Sequence, residues 1–354
     1  MAELNVAADA QPATLAGFDV IIDARSPSEF AIDHIPGALN LPVLSDAERA
    51  EVGTIYVQES RFKARRIGAA YLARNVARYI ETVMADWPPS IRALVYCWRG
   101  GMRSNSMGVI LANVGWRTSV LAGGYRTYRN RVVRCLYDAE PLKTVVLLDG
   151  HTGSGKTEVL VRLAAHGVQT IDLEGLAAHR GSLFGGLPGQ PQPSQKMFES
   201  RLLEILMSLD PSRPVVVEAE SSKVGQLIVP PVLWSAMTTA PRIVLSAPIA
   251  TRARYLTSTY PNLGGDPQAL IALLARLPDR PGRKRLEAWT ALVHAGRLEE
   301  LAGALIETHY DPAYQRSARN AVGTIMGATR LEALESEAFE HAAVAVAGIV
   351  TANA

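Results

Sequence analysis

Two short stretches of this 354-residue chain carry side chains whose types and spacing can do chemistry: "YCWRGGMRS" (96–104) and "GHTGSGKT" (150–157). In the first, Cys97 is followed by Arg99, Gly100, Gly101 and Arg103. The thiolate, not the thiol, is the nucleophile, and these surroundings favour the charged form. A strand read over 91–97 delivers the sulfur to a turn, and a helix read over 103–116 aims its positive N-terminus back at it. Gly100 and Gly101 let backbone N–H groups face inward as an anion nest, while Arg99 and Arg103 bring fixed positive charge. A catalytic Cys97 over an anion held by Arg99, Gly100, Gly101 and Arg103 is the expectation. The other cysteine, Cys135 in "VVRCLY", reads as a buried, inert thiol.

The second stretch matches G-x-x-x-x-G-K-[ST] in full, between a strand over 144–149 and a following helix. Gly150, Gly153, Ser154 and Gly155 form the turn whose N–H groups cradle a diphosphate, helped by the helix N-terminus. Lys156 is placed to reach the outer phosphate and Thr157 to bind Mg²⁺ through its hydroxyl. The acids such a loop needs are offered by Glu218 and Glu220 in "VVVEAES"; residues two apart on a strand share a face, although either could merely cap the strand end. No adenine-reading motif accompanies the loop. The cradle reads phosphates and not a base, so the diphosphate need not belong to a nucleotide.

The elements that must position these loops follow from the apolar patterning. "FDVIIDAR" (18–25), "GALNLPVL" (37–44) and "IRALVYC" (91–97) read as strands, with a helix over 66–87 and "SPSEF" opening another from Ser26 with Glu29 three residues on. "TSVLAGGYRTYRNRV" reads as strand, turn and helix. After a linker at 138–142, strands are read at 144–149, within "VQTIDLEG", and at 213–221 and 240–248; the stretch from about 251 to 340 reads as helical. Alternating strands and helices predict parallel sheets in two α/β domains, 1–137 and 138–354. "GGLPGQPQPS" (185–194) is the one low-complexity piece and reads as a mobile loop.

Composition is that of a soluble protein, 48% hydrophobic and 20% charged. No apolar run is long enough to span a membrane; "AAVAVAGIVTANA" reads as a packed strand or helix. The N-terminus lacks the basic-then-apolar pattern of a signal peptide, and two cysteines make no disulfide framework, so a cytoplasmic location is expected. The net charge of +2 hides thirty Arg among 36 basic residues. Arg117, Arg126, Arg129, Arg131 and Arg134 lie in a segment free of acids, and Arg276, Arg280, Arg283, Lys284 and Arg285 form a second cluster. Such runs are solvated faces or phosphate-backbone grips.

"VIIDARSPSEFAIDHIPGALNLPVL" (20–44) resembles the opening signature of the rhodanese fold, with Asp23, Arg25, Glu29, His34, Pro36 and Gly37 in step. Asp33 stands where a Gly commonly precedes the His, a departure expected to change only a turn; His34 reads as a structural residue. Five residues separate Cys97 from Arg103, one more than in sulfur-transferring rhodaneses, which resembles the phosphatases of that fold and suits a bulkier anion. A rhodanese-like domain joined to a P-loop NTPase-like parallel-sheet domain with a helical C-terminal region resembles the tRNA 2-selenouridine synthase family. "DLEGLAAHRGSLFGG" (172–186), "QKMFESRL" (195–202), "VEAESSKVG" (217–225) and "HYDPAYQRS" (309–317) look like that family's own signatures.

The resemblance implies replacement of sulfur by selenium at C2 of a wobble 2-thiouridine in the anticodon loop of tRNA. Selenophosphate is the implied donor, and a selenophosphate-producing enzyme an implied partner. It also implies geranylation of that sulfur from geranyl diphosphate, held with Mg²⁺ at the P-loop. Cys97 would act on the selenium, and Arg126, Arg129 and Arg131, beside Tyr125 and Tyr128, would contact the tRNA. Three rivals stand beside it: a rhodanese-fold sulfurtransferase, a phosphatase fused to a small-molecule kinase, and a nucleotide-regulated binding protein. Against the phosphatase, Tyr96 replaces the His that often precedes the nucleophile.

Overall fold

The computed structural model describes residues 4–181, 185–186, 189–259, 266–277, 282–319 and 322–353. They form two compact units, each with its own five-stranded sheet: Met1–Asp138 with Ser194–Met207, and Ala139–Pro193 with Ser208–Ala354. Leu187 and Pro188 of the low-complexity piece, Ser182–Phe184 of the preceding family-like string and Arg280 of the basic cluster lie outside the described residues.

In the first unit β1 (Asn5–Ala7), β2 (Val20–Asp23), β3 (Leu39–Asn40), β4 (Arg92–Tyr96) and β5 (Arg117–Leu121) lie in the order β1-β5-β4-β2-β3, every pair parallel. The helix Met102–Val114 carries the chain from β4 to β5. The apolar run Ala93–Tyr96 is wholly buried, as expected of a strand covered on both faces. It stands at the centre of a core that includes Ile22, Leu41, Val76, Met107, Leu111 and Trp116. The strand expected over 37–44 shrinks to β3, because Pro42 has no N–H to continue the ladder. The helix expected over 66–87 runs Arg61–Glu81 instead, capped by Ser60, whose hydroxyl accepts from the Lys63 N–H at 3.3 Å.

In the second unit β6 (Val145–Gly150), β7 (Gln169–Ile171), β8 (Val215–Glu218), β11 (Arg242–Ser246) and β12 (Ile325–Arg330) form a parallel sheet in the order β12-β11-β6-β8-β7. A short antiparallel pair, β9 (Lys223–Val224) and β10 (Leu227–Ile228), follows β8. Residues 342–352 of "AAVAVAGIVTANA" belong to the helix Ser336–Ala352, which buries Phe339, Ala343, Val346 and Val350 with Val159, Leu160 and Leu163 of the P-loop helix Lys156–Leu163. Each buried Val or Phe contributes about 1.5–3 kcal/mol of transfer free energy. Among the described residues no helix is long and apolar enough to cross a membrane.

Two expectations need correction. The stretch 251–340 is helical over Ile249–Thr259, Pro267–Leu274, Arg283–His294, Leu298–Leu305 and Asp311–Arg319, but it also holds the strand β12. "IMGATR" is weak in strand formers, and its place on the sheet edge depends on tertiary packing. A Cβ on Gly327 would lie 2.7 Å from Ile349 Cδ1, so a larger residue there would require the Ile349 side chain of the last helix to shift.

The second correction concerns the domain boundary. The helix Gln195–Ser208 comes from the sequence between β7 and β8 yet clusters with the first unit. There its Glu199, 2% exposed, pairs with Arg129 and accepts from Tyr137 Oη at 2.6 Å and Gln195 Nε2 at 2.9 Å. A single cut at 137/138 misses this excursion.

Candidate active site

β4 delivers Cys97 to a turn that the backbone itself closes. The side chain is 3% exposed. Gly101 N–H donates to Sγ at 3.3 Å, and Ser104 Oγ lies 3.2 Å from Sγ and 3.2 Å from Gly101 O. Gly101 also caps the helix Met102–Val114, so the helix N-terminus faces the sulfur. Gly100 has φ +64°, and a Cβ there would lie 2.8 Å from Leu121 O. Behind it, Tyr125 N–H donates to Cys97 O at 2.8 Å and Arg126 N–H to Trp98 O at 3.2 Å. The sulfur is thus held by one amide, one hydroxyl and a helix end.

The two loop arginines diverge. Arg99 is exposed, whereas Arg103 NH1 donates to Glu29 Oε2 at 3.0 Å and Arg49 pairs with the same oxygen at 3.0 Å. Burial would raise the Glu29 carboxyl, but these two guanidiniums outweigh it and hold the group below its ordinary value. The expected pair of anion-neutralising cations is therefore one exposed arginine and one engaged in an internal salt bridge. At the mouth, Trp98 is 37% and Met102 63% exposed.

The signature loop is anchored more deeply than a turn change would require. Arg25, buried, binds Asp23 and donates to Asp33 O at 2.6 Å, with its guanidinium 4.0 Å from the centre of the Tyr125 ring. Asp33, expected to alter only a turn, is itself buried and accepts from Tyr125 Oη at 2.6 Å. Its carboxylate ties this loop to the helix Tyr125–Val133. His34 is structural as read, Nδ1 standing 2.9 Å from Phe30 O and the ring stacked on Phe30. Tyr96 Oη accepts from the Ile35 N–H at 3.2 Å.

The same helix corrects the reading of the basic segment. Arg129 is paired with Glu199, and Arg131, 7% exposed, donates to Gln11 Oε1 at 3.0 Å. Tyr125 and Tyr128 are buried and present no face to a base. Arg126 remains exposed, on the helix whose Thr127, Asn130 and Val133 line, with Arg134, a surface depression of about 520 Å³. Cys135 is half-buried rather than buried.

In the second unit Lys156 Nζ reaches back across the P-loop to Gly150 O at 2.9 Å. Thr157 Oγ1 lies 2.7 Å from Glu218 Oε1 and 3.1 Å from Glu174 Oε2. Neither Glu218 nor Glu220 merely caps a strand: Glu218, fully buried, holds Thr157, while Glu220 turns to the cavity that Glu174 also lines. Burial and then a neighbouring carboxylate raise Glu174 (Glu220) and Glu218 (Glu174); Glu220 is raised by burial, with Lys156 opposing. This crowd of carboxylates beside a hydroxyl and a phosphate cradle fits Mg²⁺, which takes one or two carboxylates and completes its shell with phosphate oxygens and water. Among the described residues no three His, Cys, Asp or Glu side chains form a closed metal cage.

A cavity of about 530 Å³ opens from Lys156, Thr157, Glu174 and Glu220 towards Tyr255, Leu256, Tyr310, Ala313 and Tyr314. Leu256 stands on the loop: a Cβ on Gly153 would lie 2.9 Å from its Cγ. Asp311 accepts from His151 Nδ1 at 2.7 Å and from Arg252 at 2.9 and 2.7 Å, while the Tyr314 ring lies tilted against His151, centroids 4.1 Å apart. Glu174, Ser104 and this aromatic wall escaped the sequence reading. Their signals were present in "DLEG", in the Ser after Arg103 and in the i, i+4 tyrosines of "HYDPAY".

Comparison with known proteins places these features in a family. Residues 143–264 match the model of the tRNA 2-selenouridine synthase AAA domain, and residues 8–131 that of the rhodanese-like domain. Three relatives carry the name tRNA 2-selenouridine synthase. That of Pseudomonas syringae pv. syringae is 32% identical over 336 residues, covering 85% of this chain and 89% of the relative. That of Shewanella denitrificans is 31% identical, covering 82% and 77%. That of Nitrosomonas europaea is 35% identical over 247 residues; there the match takes in 68% of this chain but 63% of the relative, less than two thirds of its length.

Proposed function

Because this chain belongs to the tRNA 2-selenouridine synthase family, we propose that it replaces sulfur by selenium at C2 of a wobble 2-thiouridine in tRNA, by way of a geranylated intermediate. The observation that carries the reading is the P-loop cavity: a phosphate cradle that opens onto tyrosine and leucine. An allylic diphosphate fits that pairing of walls. Gly150 to Thr157 would hold the diphosphate of geranyl diphosphate, with Lys156 on the outer phosphate. Mg²⁺, held by Thr157 with Glu218 and Glu174, would supply charge neutralisation for the leaving diphosphate.

The chemistry balances in two displacements. The thiocarbonyl sulfur attacks C1 of the geranyl group, a C–S bond forms and the C–O bond to diphosphate breaks. The selenium of selenophosphate then attacks C2 of the base, and the geranylthiolate leaves with the C–S pair. Water cleaves the remaining P–Se bond and releases phosphate. We assign selenophosphate to the mouth of the cysteine loop. There Arg99 and the helix N-terminus at Gly101 offer positive charge, and Cys97 Sγ meets the selenium. A selenophosphate-producing enzyme would supply the donor. The engaged Arg103 tells against a phosphatase, which needs that guanidinium free for the phosphate. Arg126, Arg134 and the exposed Arg66, Arg74 and Arg78 of the helix Arg61–Glu81 are assigned to the tRNA backbone.

Incubation of 2-thiouridine tRNA with the protein, geranyl diphosphate and selenophosphate, without ATP, tests the reading by nucleoside mass spectrometry. S-geranyl-2-thiouridine followed by 2-selenouridine is the expected product order. Selenation that proceeds equally well without geranyl diphosphate would overturn it.

A further inference from the structure

We infer that the wall facing the phosphate cradle reads the hydrocarbon tail of the allylic diphosphate, and that Ala313 and Leu256 set the tail length it accepts; this rests on the reading proposed above. A tail leaving the diphosphate meets Leu256 first, since that side chain packs directly on Gly153 of the loop. Beyond it stand Tyr310, Ala313 and Tyr314, spaced i, i+3 and i+4, which brings them to one face where the chain turns into the helix Asp311–Arg319.

That face is locked to the P-loop at two points. Asp311 takes His151 and the 3%-exposed Arg252, whose NH1 also reaches Thr152 O at 3.2 Å; Tyr314 lies against the His151 ring at 4.1 Å. His151 and Thr152, the two residues after Gly150, are therefore tied to Asp311 directly and through Arg252, so the distance from cradle to wall is set by hydrogen bonds and not left to adapt. A rigid wall discriminates by volume. Ala313, between two tyrosines, leaves space that a larger side chain would fill, and Leu256 occupies space that a smaller one would release. One methylene in an apolar pocket changes selectivity about 10–200-fold, and allylic diphosphates differ by five-carbon steps.

The test measures binding of dimethylallyl, geranyl and farnesyl diphosphate to the full-length protein in Mg²⁺ buffer by calorimetry, each relative to inorganic diphosphate. The wild type is expected to favour the ten-carbon ligand. Ala313→Leu should shift the five-to-ten-carbon affinity ratio at least tenfold towards the shorter chain, and Leu256→Ala should shift preference towards the fifteen-carbon chain. Opposite shifts in the two variants cannot come from general misfolding, which would weaken inorganic diphosphate as well. Ratios that move less than threefold in both variants, or both in one direction, would overturn the inference while leaving geranyl binding intact. If the wild type binds ADP or ATP more tightly than every allylic diphosphate, the underlying reading fails together with it.

Discussion

Cys97 and Gly150 both leave the C-terminal end of the middle strand of a parallel sheet, pass through a glycine-bearing turn and enter a helix at its N-terminus, yet the two turns are finished differently. The cysteine turn closes on a single atom. Its sulfur is held by Gly101 N–H and Ser104 Oγ, the backbone at Tyr125 and Arg126 closes the loop behind it, and one of its two arginines is engaged by Glu29. The P-loop turn leaves an open cavity of about 530 Å³, floored by carboxylates and walled by aromatic rings. The same strand–turn–helix device thus makes a closed seat for a cysteine sulfur in one unit and an open phosphate-type cradle with an aromatic wall in the other. What separates them is the side chains brought in from distant sequence.

After the complete losses expected of Cys97→Ala and Lys156→Ala, the largest effect is expected from Thr157→Ala. It should slow geranylation about 100-fold while a tRNA already carrying S-geranyl-2-thiouridine is still selenated at the wild-type rate. Equal loss of both steps would break the division of labour between the turns. Next is Glu199→Ala, which removes the buried carboxylate shared by Arg129, Tyr137 and Gln195 and should cost about 1–3 kcal/mol in chemical denaturation. The loss should register at Trp87, Trp98 and Trp116 of the first unit. A change confined to Trp234 and Trp289 would contradict the placement of that helix. Ser104→Ala should slow selenation of the geranylated tRNA about fivefold to tenfold, the worth of one hydrogen bond, with geranylation untouched. The smallest effect belongs to Arg126→Ala. Its tRNA affinity should fall a few-fold and the salt slope flatten by about 0.7–0.9, whereas Arg131→Ala should lower thermal stability more than it alters that slope.

Both turns could be read from the chain because their chemistry is local: a strand, glycines at fixed offsets, a helix start. The strands around them were legible for the same reason, Ala93–Tyr96 and Val145–Leu148 being continuous apolar runs. What escaped depends on residues far apart. Arg129 and Arg131 read as an RNA grip because nothing near them in sequence is acidic; Glu199, seventy positions on, claims one, and Gln11 the other. Arg103 is answered by Glu29 in the same way. Asp33 looked like a turn substitution because its partner, Tyr125, is 92 residues away. β12 was lost in a helical stretch because its six residues carry a glycine and an alanine, and only the neighbouring β11 makes them a strand.

The division of labour is tested most directly by nucleoside mass spectrometry on 2-thiouridine tRNA incubated with geranyl diphosphate, selenophosphate and either Cys97→Ala or Lys156→Ala protein. Cys97→Ala should accumulate S-geranyl-2-thiouridine and form no 2-selenouridine, while Lys156→Ala should leave 2-thiouridine unchanged. Normal rates of 2-selenouridine formation by both variants, or loss of geranylation in Cys97→Ala, would contradict it.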